Sequence, residues 1–502
     1  MSLSRSPSVA APDHVDVLIV GAGLSGIGAA YHLQTKLPDK SYAILEGRDA
    51  IGGTWDLFRY PGIRSDSDLH TLGYVFKPWT GEQAIADGPA ILDYVRETAR
   101  ENGIDRRIRF GHRVVRATWS STDARWTVEA TRGNSSETVT LTCGFLFSAG
   151  GYYRYDEGFT PHFEGRERFQ GQIVHPQHWP EELDCAGKRV VVIGSGSTAV
   201  TLVPALARAA AQVTMLQRSP TYIVTVPSRD AIANVLRRVL PPHVAYAITR
   251  RKNVALQSLV YKLARRRPNL VRRLIRAWAK HQLPDGYDID THFRPRYDPW
   301  DQRLCAVPDG DLFRAISKGR ATIVTDRIVS FTERGIGLES GAELEADIVV
   351  TATGLNLQAF GGVQHVVDGE DVALPDTLAY KGMMLSGVPN FAFAVGYINA
   401  SWTLKVDLTC EYMCRLLAHM DRHRYDQCVP IADDPSLERR PLLDFTAGYV
   451  QRSMDQFPKQ GPAAPWQLSM SYRDDVRNLR DGDVEDGAMR FSRTAVGEPV
   501  AA

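Results

Sequence analysis

Twice along the chain an unbroken apolar run stops at a glycine-rich turn and is followed by helical spacing and a second apolar run. The first instance is 15–20, then Gly21-Ala-Gly-Leu-Ser-Gly26, a helical pattern to about residue 37, and a run at 42–45 that closes on Glu46. The second is 189–193, then Gly194-Ser-Gly-Ser-Thr-Ala199, a helical pattern over about 200–210, and a run at 212–216. Strand, glycine turn, helix and strand in this order predict a βαβ unit on a parallel sheet buried on both faces. Between 107 and 142 the pattern becomes alternating, which predicts antiparallel strands with a turn at 132–136. A buried run at 143–147 then ends in Ala149-Gly150-Gly151. From 229 to 288 the spacing is helical, with Val271, Leu274, Ile275 and Trp278 at i, i+3, i+4 and i+7. The run 347–351 leads into Ala352-Thr353-Gly354 and reads as the return to the first unit, with a further helix over about 405–419.

This order predicts an α/β protein with two Rossmann-like dinucleotide-binding domains and a helical insertion in the second. The expected division is 14–150 and 347–495 for the first domain, in two parts, 151–187 for a linker, and 188–346 for the second domain, interrupted by the insertion at 231–288. A length of 502 residues agrees with more than one core. Hydrophobic residues at 44% and charged residues at 23% exclude a disordered, collagen-like or coiled-coil chain. The 59 basic and 58 acidic residues exclude a globally basic nucleic-acid binder. That balance hides a partition, because 231–284 holds 13 basic residues and no acidic one, leaving 46 basic against 58 acidic elsewhere. A basic helical insertion reads either as a solvated face packed on acidic neighbours or as a face for anionic membrane surfaces. Six cysteines without a CxxC pair suit a reducing compartment and no metal site, and Met1–His14 lacks the apolar core of a secretory signal. No window offers the roughly 20 apolar residues of a membrane helix. The expectation is a cytoplasmic protein, with peripheral membrane contact as the second reading.

The glycines carry chemistry. Gly21 permits the tight turn, Gly23 lets backbone approach a pyrophosphate, and Gly26 allows helix and strand to pack closely, with Ser25 inside the turn. The helix N-terminus offers free N–H groups to phosphate. Glu46 at the end of the second strand can accept hydrogen bonds from ribose hydroxyls. In the second turn, Gly194, Ser195, Gly196, Ser197, Thr198 and Ala199 repeat the arrangement, but the following strand ends in Gln217-Arg218-Ser219. An acid there would repel a 2′-phosphate, whereas Arg218 pairs with it. The acid-bearing site therefore suits FAD, and the Arg218–Ser219 site suits NADPH.

Between these units lie Gly52-Gly53-Thr54-Trp55, Tyr60-Pro61-Gly62 and Asp66. Two glycines let backbone pass a flat ring, and Trp55 offers a rigid aromatic wall. Further on, Phe169-Gln-Gly-Gln-Ile-Val-His175-Pro-Gln-His-Trp179-Pro180 resembles the fingerprint of class B flavoprotein monooxygenases in its Baeyer–Villiger form. The run from Gly52 to Asp66 resembles that subfamily's second fingerprint, and Pro299-Trp-Asp-Gln-Arg-Leu-Cys305 and Asn399-Ala-Ser-Trp-Thr403 extend the likeness from about 16 to 491.

The resemblance implies that NADPH reduces FAD, that a flavin C4a-peroxide forms with dioxygen, and that oxygen is inserted into ketones to give esters or lactones. It also implies S-oxygenation of sulfides and thioamides. Arg303 is then the active-site arginine that stabilises the peroxyanion and meets the nicotinamide, with Asp66 orienting it. By the same resemblance Gly53, Thr54, Trp55, Leu57, Asp66 and Val114 join the FAD set, and Arg64 and Ser65 the NADPH set. Family members often carry Lys before the arginine. Here Gln302 stands there, which puts more weight on Arg218. Trp466 matches a family tryptophan near the nicotinamide ribose, and His175 reads as a linker residue ahead of a catalytic base. The alternative reaction is N- or S-oxygenation without ketone conversion.

Overall fold

The computed structural model describes residues 13–133 and 137–494. Most of the turn expected at 132–136 lies outside them, as do nearly all of Met1–His14 and the end of the 347–495 segment.

Two sheets organise the molecule. The larger has nine strands, in which Asp13–Val20 lies between Tyr42–Leu45 and Thr138–Ser148, parallel to both. The alternating strands His112–Ser120 and Arg125–Arg132 join antiparallel beyond Thr138–Ser148. Gln364–Val367 extends this sheet late in the chain, and Phe391–Phe393 pairs with Thr138–Ser148. Val17 and Ile19 point into one buried cluster and Leu18 into another, which is why the strand reads as a continuous apolar run. The long helix Trp402–His423 covers one face together with Leu24–Lys36.

The second sheet has five parallel strands in the order Ala321–Thr325, Gln212–Gln217, Arg189–Ile193, Ile348–Thr351 and Gln172–Val174. Here the structure departs from the sequence expectation. The run 347–351 does not begin the return to the first unit but pairs directly with Arg189–Ile193. It plays the part that Thr138–Ser148 plays in the first sheet. An apolar run buried on both faces fits either sheet equally well, so its pattern carries no address. Likewise Gln172–Val174, inside the expected linker, is an edge strand of the second sheet. The crossing between units is an antiparallel pair, Tyr153–Gly158 with Leu355–Leu357.

The insertion forms three helices, Ala231–Val239, Pro242–Arg266 and Pro268–Gln282. It docks on the first unit through Arg250, only 8% exposed, whose guanidinium donates to the carbonyls of His70, Thr71 and Gly73 at 2.8–3.1 Å and to Asp407 at 3.3 Å. A buried charge with this many acceptors is satisfied, so removing it would take a buried donor from three carbonyls and leave Asp407 with His32 at 3.5 Å.

Candidate active site between the two glycine turns

Gly21 has φ +103°, and a Cβ there would stand 2.8 Å from the Ala149 carbonyl oxygen. A Cβ on Gly26 would fall 1.9 Å from the Gly21 carbonyl oxygen, so only glycine fits. Gly23 faces Gly53, the Cα of which lies 3.7 Å from the position a Cβ would take. No side chain caps the helix Leu24–Lys36, whose N-terminal amides remain open for an anion. Glu46 is buried, with Oε2 accepting from the Ala22 N–H at 2.7 Å and Oε1 from the Arg48 N–H at 2.9 Å. Burial raises its pKa and the two amides pull it back. Glu46 thus locks the turn to the second strand while each oxygen keeps a lone pair for a hydroxyl.

From this turn a cleft runs past Gly53, Thr54, Trp55 and Val114 to Ser65, Asp66 and Arg303. Glycines and a helix N-terminus line one end and Trp55, Tyr152, Tyr153, Tyr155 and Trp402 line its walls, a lining that fits a flavin dinucleotide. The segment carrying Gly53 is fixed from behind by Asp56, which is 1% exposed and meets Arg48, Arg59 and Arg96. Several lining residues escaped the sequence reading. Trp402 donates its indole N–H to Ser25 Oγ at 2.9 Å, tying the Asn399–Thr403 run to the first turn. That run was visible as a likeness, but nothing in it announced a partner 377 residues away. Tyr153 and Tyr155 come from the crossing strand and Tyr152 immediately precedes it, while Tyr397 reaches the cleft with its hydroxyl donating to Asp475 at 2.6 Å. Asp475 also holds the wholly buried Lys405 at 2.7 Å. Burial pushes the Lys405 ammonium pKa down and that of Asp475 up.

At the far end Arg303 donates to Asp66 Oδ1 at 2.8 Å, with each side chain about a third exposed, 32% and 31%. Burial works against the guanidinium charge, but Asp66 and the phenols of Tyr152, Tyr449 and Tyr153 hold its pKa above the usual arginine value. The result is a permanent cation aimed by one carboxylate. Its loop is pinned to the second turn through Cys305, whose Sγ lies 3.8 Å from Ser197 Oγ and 3.9 Å from the Ser195 carbonyl. Burial pushes the Cys305 thiol up to about 11, so it stays protonated and packs. The insertion braces the same loop, with Arg265 on Asp301 at 2.7 Å and Tyr261 against Trp300.

The second turn repeats the first. Gly194 has φ +132°, and a Cβ would stand 2.3 Å from the Ala352 carbonyl oxygen, the counterpart of Ala149. Around Gly196 nothing lies within 4 Å of a Cβ position. Ser195 Oγ donates to the Ser219 carbonyl at 3.2 Å. Arg218 is exposed and has no ion pair among the described residues, so it is available to a ligand phosphate.

Not every expected residue converges. Leu57 points away from the cleft and packs on the second unit's core beside Phe58 and Tyr60. Arg64 is tied to Asp311 in an ion pair and lines a separate depression with Asp309 and Arg314. Trp466 is buried against Tyr380, ring centroids 5.6 Å apart, in the first core and not at the cleft. Apolar or basic type alone did not reveal which way these side chains turn. His175 lies outside the cleft lining. Its Nε2 donates to the Gly354 carbonyl at 3.2 Å and its Nδ1 accepts from Gln177, so it clamps the crossing between units. Burial lowers its pKa.

Two sheets of this topology, two glycine turns and an arginine–carboxylate pair between them define a flavin-dependent oxidoreductase architecture. The model of flavin-binding monooxygenase-like proteins matches residues 85–368, and that of an NAD(P)-binding Rossmann-like domain matches 19–79. The chain belongs to the flavin-binding monooxygenase family. It is 57% identical over 483 residues to the FAD-containing monooxygenase EthA of Mycobacterium tuberculosis, covering 96% of this chain and 98% of the relative. The EthA of Mycolicibacterium smegmatis is 52% identical over 482 residues, with the same coverage. Among solved structures, a steroid monooxygenase bound to NADP superposes with TM-score 0.74 at 23% identity, and a cyclohexanone monooxygenase with TM-score 0.75 at 19%. Each covers 96% of this chain and all of the other, and shows that the fold is shared.

Proposed function

We propose that this FAD-containing monooxygenase carries out Baeyer–Villiger oxidation, converting a ketone, NADPH, dioxygen and a proton into an ester or lactone, NADP+ and water, with oxygenation of sulfides and thioamides as a second activity. The observation that carries this reading is the Arg303–Asp66 pair at the end of the cleft, on a loop held against the second glycine turn.

FAD and NADPH are the cofactors, supplying dioxygen activation and hydride. Gly21, Gly23, Ser25 and Gly26 with the helix N-terminus hold the flavin pyrophosphate, and Glu46 holds its ribose. Gly53, Thr54, Trp55, Val114 and Trp402 wall the ring and keep water from it. The turn Gly194–Ala199 holds the second pyrophosphate, and Arg218 with Ser219 holds the 2′-phosphate. Arg303 places a fixed positive charge where negative charge develops on oxygen, a role that a titrating lysine or histidine would fill less well. Asp66 aims the guanidinium and keeps it from rotating away. Incubation with a simple methyl ketone, NADPH and air, followed by gas chromatography, tests the reading. The expected product is the ester, about one per NADPH consumed. Sulfoxide from a methyl sulfide with no ester from any ketone would overturn it in favour of an S-oxygenase.

A further inference from the structure

The basic insertion turns much of its apolar surface outward. Of the fifteen large hydrophobic side chains exposed among the described residues, eleven lie between 232 and 278. They fall in stripes at helical spacing. Pro242–Arg266 presents Leu256, Leu259, Val260 and Leu263, an i, i+3, i+4, i+7 set that is 39–63% exposed. Ala231–Val239 presents Ile232, Val235 and Val239. On Pro268–Gln282 the stripe the sequence suggested is only partly covered, since Val271 is buried but Leu274 and Trp278 are 57% and 55% exposed. Periodicity told which side of each helix is apolar, not that another element covers it.

The charges sort in the same way. Of the 13 basic side chains, six are engaged: Arg250 on backbone carbonyls and Asp407, Arg237 on backbone carbonyls, and Lys252, Arg265, Arg272 and Arg276 on carboxylates. The other seven (Arg238, Arg251, Lys262, Arg266, Arg267, Arg273 and Lys280) are exposed and have no ion pair among the described residues. The reading of a solvated face packed on acidic neighbours therefore accounts for the inner cations and not for the outer ones.

We infer that the insertion is a docking face for anionic lipid surfaces, its leucines, valines and Trp278 entering the headgroup boundary while the free arginines and lysines meet lipid phosphates. Charge decides the occupant. A second copy of the same patch, paired about a two-fold axis, would set cations against cations. A neutral apolar partner would leave the seven cations unanswered. No helix among the described residues is long and apolar enough to cross a membrane, so the contact is peripheral. The same helices brace the loop that carries Arg303, which sets the docking face next to the candidate active site.

The test uses the full-length, flavin-loaded protein and reads binding and not turnover, so it stands apart from the reaction assigned above. Sedimentation is measured with vesicles of phosphatidylcholine alone and of phosphatidylcholine mixed with phosphatidylglycerol, at low and high salt. We expect pelleting with the mixed vesicles only, falling on the order of tenfold at high salt. A similar fall is expected for Arg266→Gln, Arg267→Gln, Arg273→Gln and Lys280→Gln combined. Leu256→Ser, Leu259→Ser and Leu263→Ser combined should weaken binding at every salt concentration. Bound flavin reports that both variants remain folded. Absence of binding, equal binding to both vesicle types, or a concentration-dependent dimer abolished by the leucine substitutions would overturn the proposal.

Discussion

The two glycine turns are built alike at the start and part company afterwards. In each, the first glycine sits in the left-handed region beneath an alanine carbonyl just past the end of the neighbouring parallel strand, Ala149 over Gly21 and Ala352 over Gly194. In the first, everything downstream is enclosed: Gly26 touches Gly21, Glu46 is buried on two amides, and Trp402 reaches across to Ser25. In the second, Ala199 replaces the third glycine, Gly196 faces open space and Arg218 stands free in solvent. The first turn is enclosed by its neighbours and the second is open to solvent. Arg303 belongs to both, bonded to Asp66 on one side and seated on the second turn through Cys305.

The sharpest way to break this contrast is to add a methyl group at the closed third glycine of the first turn and at the open second glycine of the second, where Ala199 already fills the third place. Gly26→Ala drives a Cβ into a backbone carbonyl at 1.9 Å, and we expect loss of about 3 kcal/mol or more of stability and loss of bound flavin. Gly196→Ala meets nothing and should keep flavin and melting temperature while raising the KM for NADPH. Flavin absorbance per protein decides both, and equal flavin content in the two variants would refute the contrast. Next in size, Arg218→Ala should raise the KM for NADPH by tenfold to a hundredfold through loss of a charge-assisted contact, leaving that for NADH nearly unchanged. Equal shifts would remove Arg218 from the 2′-phosphate.

A smaller effect concerns acid. His365, on Gln364–Val367 in the first sheet, is packed among Trp126, Phe360 and Phe391, and burial lowers its pKa to about 4. The unfolded chain binds a proton near pH 6.5 that the folded one refuses until about 4. Stability is therefore lost as pH falls through that window, by at most about 3 kcal/mol. Flavin should be released from the first unit in this range, and His365→Phe should flatten the pH dependence of the melting temperature there.

Much of the first turn and its surroundings was legible in sequence, because a glycine that must meet a carbonyl and an acid that ends a strand leave marks at fixed spacing. The pairing of Ile348–Thr351 with Arg189–Ile193 was not, since a run buried on both faces looks the same in any sheet. The directions of Leu57 and Arg64 were hidden for a related reason: likeness to a motif gives a residue's neighbours in the chain and not its neighbours in space. Trp402 on Ser25 and Lys405 on Asp475 join positions far apart in sequence. The outward stripes of the insertion show the same limit at larger scale, because amphipathic spacing is satisfied by a core, a partner or a lipid surface alike.

The central claim is that cofactor reduction and oxygen insertion meet at Arg303. Arg303→Ala, assayed in one sample for flavin bleaching by NADPH without oxygen and for ester per NADPH in air, tests it most directly. Bleaching should persist, though slowed, and ester should fall by a hundredfold or more, on the order of one lost oxyanion donor. An ester yield equal to that of the unaltered protein would contradict it.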